Sequence, residues 1–244
     1  MPNDNTRCNI IAERASLLPR LLIFKNVTNL HFAKLNSCLK RVFIAKYRID
    51  SNKGDEPMKT EQQYFNEAIS IQQYMENMTT LKEESFRIYD GFEVPTNDDF
   101  IELLKEKQPK ILTITEDWCG DAMLNNPIIR RIAEAAGLDM RTVFRDADTE
   151  LIDRYLTNGG RAIPIYLLLD DAGEVIGKWG PRAPELQEFV VTKRASLPDK
   201  EDPTFEEAQK ALYAEIREEN ISNKTYWTFV YEDFKKQVTE ALQK

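Results

Sequence analysis

The sequence predicts an α/β fold in which a central mixed sheet carries helices on both faces. Between residues 97 and 195, short apolar runs alternate with longer stretches in which apolar residues recur at helical spacing. The last two apolar runs are separated by little more than Asp171-Ala172-Gly173, which predicts a hairpin turn. Strands joined by helices are parallel and a closing hairpin is antiparallel, so the predicted sheet is mixed and covered on both faces.

The individual helices and strands are predicted from the spacing of apolar residues and from the capping and turn residues at their ends. One amphipathic helix is predicted over residues 60–78, with five residues on its apolar face: Tyr64, Ala68, Ile71, Met75 and Met78. Asn97 predicts the N-cap of a helix that runs to Lys107. The elements expected after it are strand 110–115, helix 119–136, strand 141–145, helix 149–157, strand 165–169, strand 174–179 and helix 184–195.

The C-terminal part predicts further helices. The acidic run from Glu201 to Glu219 is typical of a solvated helix face. An apolar stripe at helical spacing follows from Trp227 to Leu242. This stripe predicts a helix that packs on the domain, with a dimer interface as the alternative.

The distribution of charge divides the chain near residue 57. Residues 1–57 hold 10 basic and 5 acidic side chains, whereas residues 58–244 hold 23 and 36. We divide the chain into a basic N-terminal extension (1–57), an N-terminal helical segment (58–96), an α/β domain (97–195) and a C-terminal helical extension (196–244). The basic extension is interpreted either as a targeting or anchoring arm or as an upstream extension, disordered or a start-site artefact, with Met58 as the true start.

Charge and residue types exclude several classes of function. The acidic excess of residues 58–244 disfavours nucleic acid and anionic membranes, and no uncharged apolar run approaches the roughly 18 residues of a membrane helix. The three cysteines are Cys8, Cys38 and Cys119, and His31 is the only histidine. We therefore expect no Cys-His dyad after residue 57, no metal, no cofactor and, from sparse cysteine without a signal peptide, a cytoplasmic location.

The most informative segment is Trp-Cys-Gly-Asp-Ala at 118–122, which follows a predicted strand and opens a predicted helix. The N–H groups and the partial positive charge of a first helical turn favour the thiolate, which is the nucleophilic form of cysteine. Glu116, Asp117 and Asp121 oppose this effect through their charge. We expect a modestly acidified Cys119 thiol.

Four landmarks in this sequence resemble thioredoxin: Trp118-Cys119-Gly120, Pro127 in the following helix, Ile163-Pro164 before an apolar strand, and Gly180 after the hairpin. The resemblance covers residues 97–195, here the thioredoxin-like domain. Residues 58–244 as a whole are similar to a bacterial branch of the family with a Trp-Cys-Gly-Asp motif. The resemblance to thioredoxin implies a thioredoxin-like fold, a cis peptide bond before Pro164 and a substrate strand docked beside that proline.

The departures from the thioredoxin pattern all point to a site with one cysteine instead of two. Ala122 replaces the second cysteine, Asp121 replaces a proline, and Thr113 replaces the buried acid that serves the second thiol. The resemblance then implies a monothiol thiol–disulfide oxidoreductase in redox homeostasis. Its partners are protein disulfides or mixed disulfides, and a low-molecular-weight thiol resolves the intermediate. Resolution by Cys8 or Cys38 is a further alternative, and a redox-inactive peptide- or protein-binding module is the other hypothesis.

The expected site residues have two roles. Cys119 is the nucleophile, and Asp121 relays protons or, alternatively, complements the helix dipole. The residues expected to bind substrate are Trp118, Gly120, Ile163, Pro164, Trp179 and Gly180. For the two tryptophans, an apolar rim and a place in the core are both open.

Overall fold

Residues 58–244 are the part of the chain that the structure, a computed structural model, describes. The basic extension, with Cys8, Cys38 and His31, lies outside the described residues. The helices are α1 (Glu61–Glu67), α2 (Ile71–Asn77), α3 (Lys82–Gly91), α4 (Asp99–Lys107), α5 (Gly120–Ala136), α6 (Thr149–Ile152), α7 (Pro184–Arg194), α8 (Phe205–Ser222) and α9 (Lys224–Leu242). The strands are β1 (Ile69–Ser70), β2 (Lys110–Thr115), β3 (Met140–Phe144), β4 (Ile165–Leu169) and β5 (Val175–Trp179).

The five strands form one mixed sheet in the order β1-β3-β2-β4-β5. Strands β2 and β3 are parallel, with Thr113 opposite Thr142, and the other three pairs are antiparallel. The hairpin β4–β5 turns at residues 170–174, where Gly173 has a positive φ of 84°. The predicted fold class is confirmed.

Alternate residues of β4 build the cores on the two faces of the sheet. Ile165, Leu167 and Leu169 pack with α1 and α6 on one face, while Tyr166 and Leu168 pack with α2–α5 and α9 on the other. All five side chains are almost completely buried. This period of two is what a strand covered on both faces requires.

The prediction of one helix over residues 60–78 is wrong. The helix ends at Glu67, two residues form the edge strand β1, and α2 begins after a second cap. Ser70 and Gln73 form a capping box there, and this box opens a new helix inside the periodic run. Because of the break, Tyr64 packs on one face of the sheet and Met75 on the other.

Other boundaries also shift. Helix α3 was not expected, and α6 ends at Ile152 rather than at 157. The N-cap of α4 is Asp98, whose carboxylate accepts the N–H of Phe100, while Asn97 has a positive φ of 57°. Strands β2 and β4 have the predicted ends.

The C-terminal helices pack on the domain. Helix α9 buries an apolar stripe that runs through Trp227, Val230 and Phe234 against β5 and α5. Helix α8 buries Leu212 and Ile216 against Val190 of α7 and exposes most of its acidic side chains. Within residues 58–244, no helix combines the length and apolarity needed to cross a membrane.

Candidate active site around Cys119

Cys119 lies where strand β2 passes into helix α5. It is the N-cap residue of the helix, with extended backbone, and its carbonyl accepts the N–H of Met123. The thiol is 8% exposed and donates a hydrogen bond of 3.4 Å to the carbonyl of Ile163. The helix start therefore places the thiol against the loop that precedes β4.

The opposite wall of the site is a surface that we call the Pro164 side: Ile163, Pro164 and Gly180. The Ile163–Pro164 peptide bond is cis, as the resemblance implied. Gly180 has a φ of 112°, and a Cβ added there would lie 2.3 Å from the carbonyl oxygen of Pro164. Only glycine allows the end of β5 to pass this close to Pro164.

The two tryptophans differ. Trp118 is 51% exposed, and the guanidinium of Arg145 lies 4.9 Å from its ring centroid. Trp179 is buried, donates its indole N–H to Asp233 at 2.7 Å, and packs on Phe234. Of the two positions left open for each tryptophan, Trp118 takes the rim of the site, whereas the ring of Trp179 belongs to the core and is not available to a substrate.

Asp121 is held by an ion pair that the sequence analysis did not foresee. The guanidinium of Arg182 donates two hydrogen bonds to its carboxylate, of 2.6 and 2.5 Å, and a third to Gln187. Both members of the pair are largely buried. Burial raises the pKa of the Asp121 carboxyl, and Arg182 opposes that rise. The Trp-Gly-Pro-Arg sequence at 179–182 was the available signal for this partner.

The expectation of an acidified thiol is wrong. Burial raises the pKa of Cys119 to about 11, and the charge of Asp121 adds to the rise. The backbone N–H groups of Ala122 and Asp121 donate to the sulfur and lower the pKa, but by less. The helix terminus acts in the predicted direction and is outweighed by desolvation.

The other two carboxylates near the motif are engaged elsewhere. Glu116 accepts the backbone N–H of Asp146 at 2.7 Å. Asp117 accepts the N–H and the hydroxyl of Thr79, at 2.7 and 2.8 Å. Their hydrogen bonds direct both charges away from the thiol, so Asp121 is the carboxylate that acts on Cys119.

Thr113, at the position of the family's buried acid, is fully buried. Its hydroxyl has no hydrogen-bond partner within residues 58–244. Ala122, at the position of the second cysteine, is 1% exposed and packs in the core around Cys119. The site therefore has one thiol, with an apolar side chain where a second would stand.

A cleft of about 420 Å³ opens beside Cys119, between the start of α5 and helices α7 and α8. The thiol, the apolar side chains of Leu81, Val190 and Ile216, and Gly120 line it; a Cβ at Gly120 would meet nothing within 4 Å. Four polar residues also line this cleft and are here called the arginine side: Arg182, Arg194, Arg217 and Asn220. Arg194, Arg217 and Asn220 were missed because only the tertiary packing of α7 and α8 brings them to the motif.

Three comparisons place the chain among known proteins. A family model described as thioredoxin matches residues 68–201. A solved structure of a protein of unknown function from Pseudomonas aeruginosa is 14% identical, covers 72% of this chain and 99% of its own, and gives a TM-score of 0.46. An HIV epitope-scaffold is also 14% identical, with 71% and 99% coverage and a TM-score of 0.45. No curated protein matches.

Proposed function

Because the chain belongs to the thioredoxin family, we propose that it carries out thiol–disulfide exchange with a single active-site cysteine. Cys119 is the nucleophile and an external low-molecular-weight thiol completes the reaction. The observation that carries this proposal is the position of Cys119 at the first turn of α5, 3.4 Å from the Ile163 carbonyl, with buried Ala122 in place of a second thiol.

The exchange proceeds in two balanced steps. The Cys119 thiolate attacks the cap sulfur of a protein mixed disulfide, P–S–S–R. A Cys119–S–S–R bond forms, and the protein leaves as the thiolate P–S⁻, which takes up a proton. A second small thiolate, R–S⁻, then attacks the cap sulfur, releasing R–S–S–R and regenerating the Cys119 thiolate. The net reaction converts P–S–S–R and R–SH into P–SH and R–S–S–R.

The raised pKa of the Cys119 thiol slows its attack on a disulfide. At pH 7 a thiol with a pKa of about 11 attacks roughly 20-fold more slowly than a free cysteine, because its small thiolate fraction outweighs its greater nucleophilicity. Substrate binding must therefore supply the acceleration, by holding the disulfide in line with the sulfur. The surfaces available for this are the Pro164 side and the exposed ring of Trp118.

The partners follow from this arrangement. A protein segment that carries the capped cysteine lies extended along the Pro164 side and hydrogen-bonds to its main chain, which makes binding independent of most side chains. Asp121, largely buried next to the thiol, is placed to take part in proton transfer with the leaving thiolate. We place this chemistry in the cytoplasm, because a reducing compartment keeps a single thiol free.

One observation favours a second function. The Cys119 thiol is 8% exposed and protonated at neutral pH. A redox-inactive module that holds extended peptides along the Pro164 side would need no thiolate. In that case Cys119 contributes only packing and its hydrogen bond to Ile163.

Turnover of a capped peptide separates the two functions. The full chain, its Cys119→Ser variant and a Cys8→Ser/Cys38→Ser double variant are each mixed with a glutathionylated peptide and excess glutathione. We expect Cys119→Ser to lose the protein-dependent rate and the double variant to keep it. Equal rates for Cys119→Ser and the unmodified chain would contradict the enzyme function, and loss of the rate in the double variant would assign resolution to Cys8 or Cys38.

A further inference from the structure

We propose that the small thiol used by this protein carries carboxylate groups, and that the arginine side binds them. The cap R of the Cys119–S–S–R intermediate then lies in the cleft, with its carboxylates on Arg194 and Arg217 and against the Asn220 amide. This inference rests on the proposed exchange function and names the class of its co-substrate.

The first support is the charge of the cleft. Its lining holds three arginines and one carboxylate, in a part of the chain where 36 acidic residues outnumber 23 basic ones. Arg182 is already paired with Asp121. Arg194 and Arg217 form no ion pair within residues 58–244, and a carboxylate is the group that a guanidinium binds with two parallel hydrogen bonds.

Of the three acidic residues close by on α8, two are engaged with other partners and Glu218 is exposed. Glu215 forms an ion pair with Lys193, and Glu219 accepts a hydrogen bond from Asn223. The Arg194 guanidinium donates only a weak hydrogen bond of 3.4 Å, to the Tyr213 hydroxyl. The two free guanidinium groups therefore keep their capacity for an anion.

The second support is Asn220, which lines the cleft and is 4% exposed. Its backbone carbonyl accepts the indole N–H of Trp227 at 2.8 Å, but its side-chain amide forms no hydrogen bond within the described part of the chain. Its amide is not sealed from solvent and is therefore available to hydrogen-bond to a molecule in the cleft. A ligand carboxylate between the two arginines would accept from this amide.

The third support is size and layout. At about 420 Å³ the cleft lies in the range of roughly 300–1,000 Å³ that small-molecule sites occupy. The thiol and the arginine side share this cleft with the apolar surface of Leu81, Val190 and Ile216. This lining suits a small molecule that combines a sulfur, a short apolar stem and carboxylates.

Rates of resolution by three thiols test the proposal. The Cys119 mixed disulfide with 2-mercaptoethanol, whose uncharged cap leaves the arginines unoccupied, is prepared in the Cys8→Ser/Cys38→Ser background and resolved with 3-mercaptopropionate, 2-mercaptoethanol or cysteamine. Each rate is divided by the rate of the same thiol on a cysteine-peptide mixed disulfide, which removes intrinsic reactivity. Since the protein is acidic overall, bulk electrostatics favour cysteamine.

We expect the normalised rate of the anionic thiol to exceed that of the neutral thiol about tenfold at low salt, and the excess to shrink as salt screens the arginines. Arg194→Gln and Arg217→Gln should each remove most of the excess rate of the anionic thiol. Arg87→Gln, an exposed arginine of α3 outside the cleft, should leave it unchanged. Equal normalised rates for all three thiols would overturn the proposal while leaving the exchange function intact.

A binding measurement keeps the inference separate from the chemistry. S-methylglutathione, a carboxylated thioether that cannot exchange, is titrated into the Cys119→Ser variant by NMR. Binding that weakens about tenfold in Arg217→Gln supports the anion site. If such binding is found but no mixed disulfide ever forms on the unmodified chain, only the exchange function fails. If the thioether does not bind and an acidic peptide shifts the same resonances, the arginine side is a protein-docking surface and the proposal is wrong.

Discussion

The two walls that flank Cys119 differ in origin and in chemistry. The Pro164 side is uncharged backbone, and its residues belong to the family motifs that the sequence displays. The arginine side is charged and comes from α7, α8 and the loop after β5. Helix α8 begins at residue 205, beyond the matched residues 68–201. The family motifs thus position the nucleophile, whereas α8, outside the matched residues, adds Arg217 and Asn220 to the cleft.

The largest expected effect of a substitution is a loss of stability on the Pro164 side. Gly180→Ala would place a Cβ 2.3 Å from the Pro164 carbonyl oxygen at a φ of 112°, and should lower the free energy of unfolding by about 3 kcal/mol or more. Gly120→Ala is the control, because a Cβ there meets nothing within 4 Å and should change stability by no more than about 1 kcal/mol. Urea unfolding measures both, and similar losses would refute a close approach at Gly180.

The next effect concerns the charge beside the sulfur. Asp121→Asn removes the carboxylate that raises the Cys119 pKa and leaves Arg182 in place. A Cys119 pKa about one unit lower raises the thiolate fraction roughly tenfold at pH 8 and makes the thiolate less nucleophilic, so alkylation by iodoacetamide should accelerate about fourfold. Asp117→Asn is the matched control, since that carboxylate is bonded to Thr79; an equal acceleration there would assign the effect to net charge.

Arg182→Gln is expected to slow the alkylation of Cys119, in contrast to Asp121→Asn. The Arg182 charge lowers the pKa of Cys119 by less than the Asp121 charge raises it, so its loss should raise the pKa and slow alkylation about threefold. Its loss also leaves the Asp121 carboxylate without its cation, which should destabilise the fold. The double variant Asp121→Asn/Arg182→Gln should alkylate faster than Arg182→Gln alone, and an unchanged rate would show that the pair does not act on the thiol.

The smallest effect is expected at the rim. Trp118→Ala removes an exposed ring and should raise KM for a capped peptide about threefold with kcat little changed. Leu156→Ala is the control, because Leu156 is an exposed apolar residue that does not line the cleft. A fall in kcat with KM unchanged would give Trp118 a role in the chemical step instead.

Local patterns in the sequence predicted strands β2 to β5 and the start of α5 well, but not β1. Strand β4 is a continuous apolar run and β2 alternates apolar residues with threonine, and Cys119 is the last residue before a helix that ends at Ala136, just before Gly137. The break at Ser70 was missed because helical periodicity continues through it while a capping box begins a new helix. In such a run the end signals, not the period, decide the structure.

The electrostatics of the site could not be predicted in the same way. The prediction of an acidified Cys119 thiol considered the charges and the helix dipole that are adjacent in sequence, whereas the largest effect on its pKa is burial by the surrounding fold. Arg182 follows the motif by 61 residues and Arg217 by nearly a hundred, so neither is a local signal. Tertiary packing alone brings them to the thiol.

The central claim, one thiol resolved from outside, is tested most directly by a single-turnover experiment. The Cys8→Ser/Cys38→Ser protein is mixed with excess glutathionylated peptide and no free thiol, and intact mass spectrometry follows the protein. We predict one equivalent of released peptide thiol, accumulation of the Cys119–glutathione disulfide, and renewed turnover once glutathione is added. Continued turnover without added thiol, or no Cys119 adduct at all, would contradict the account.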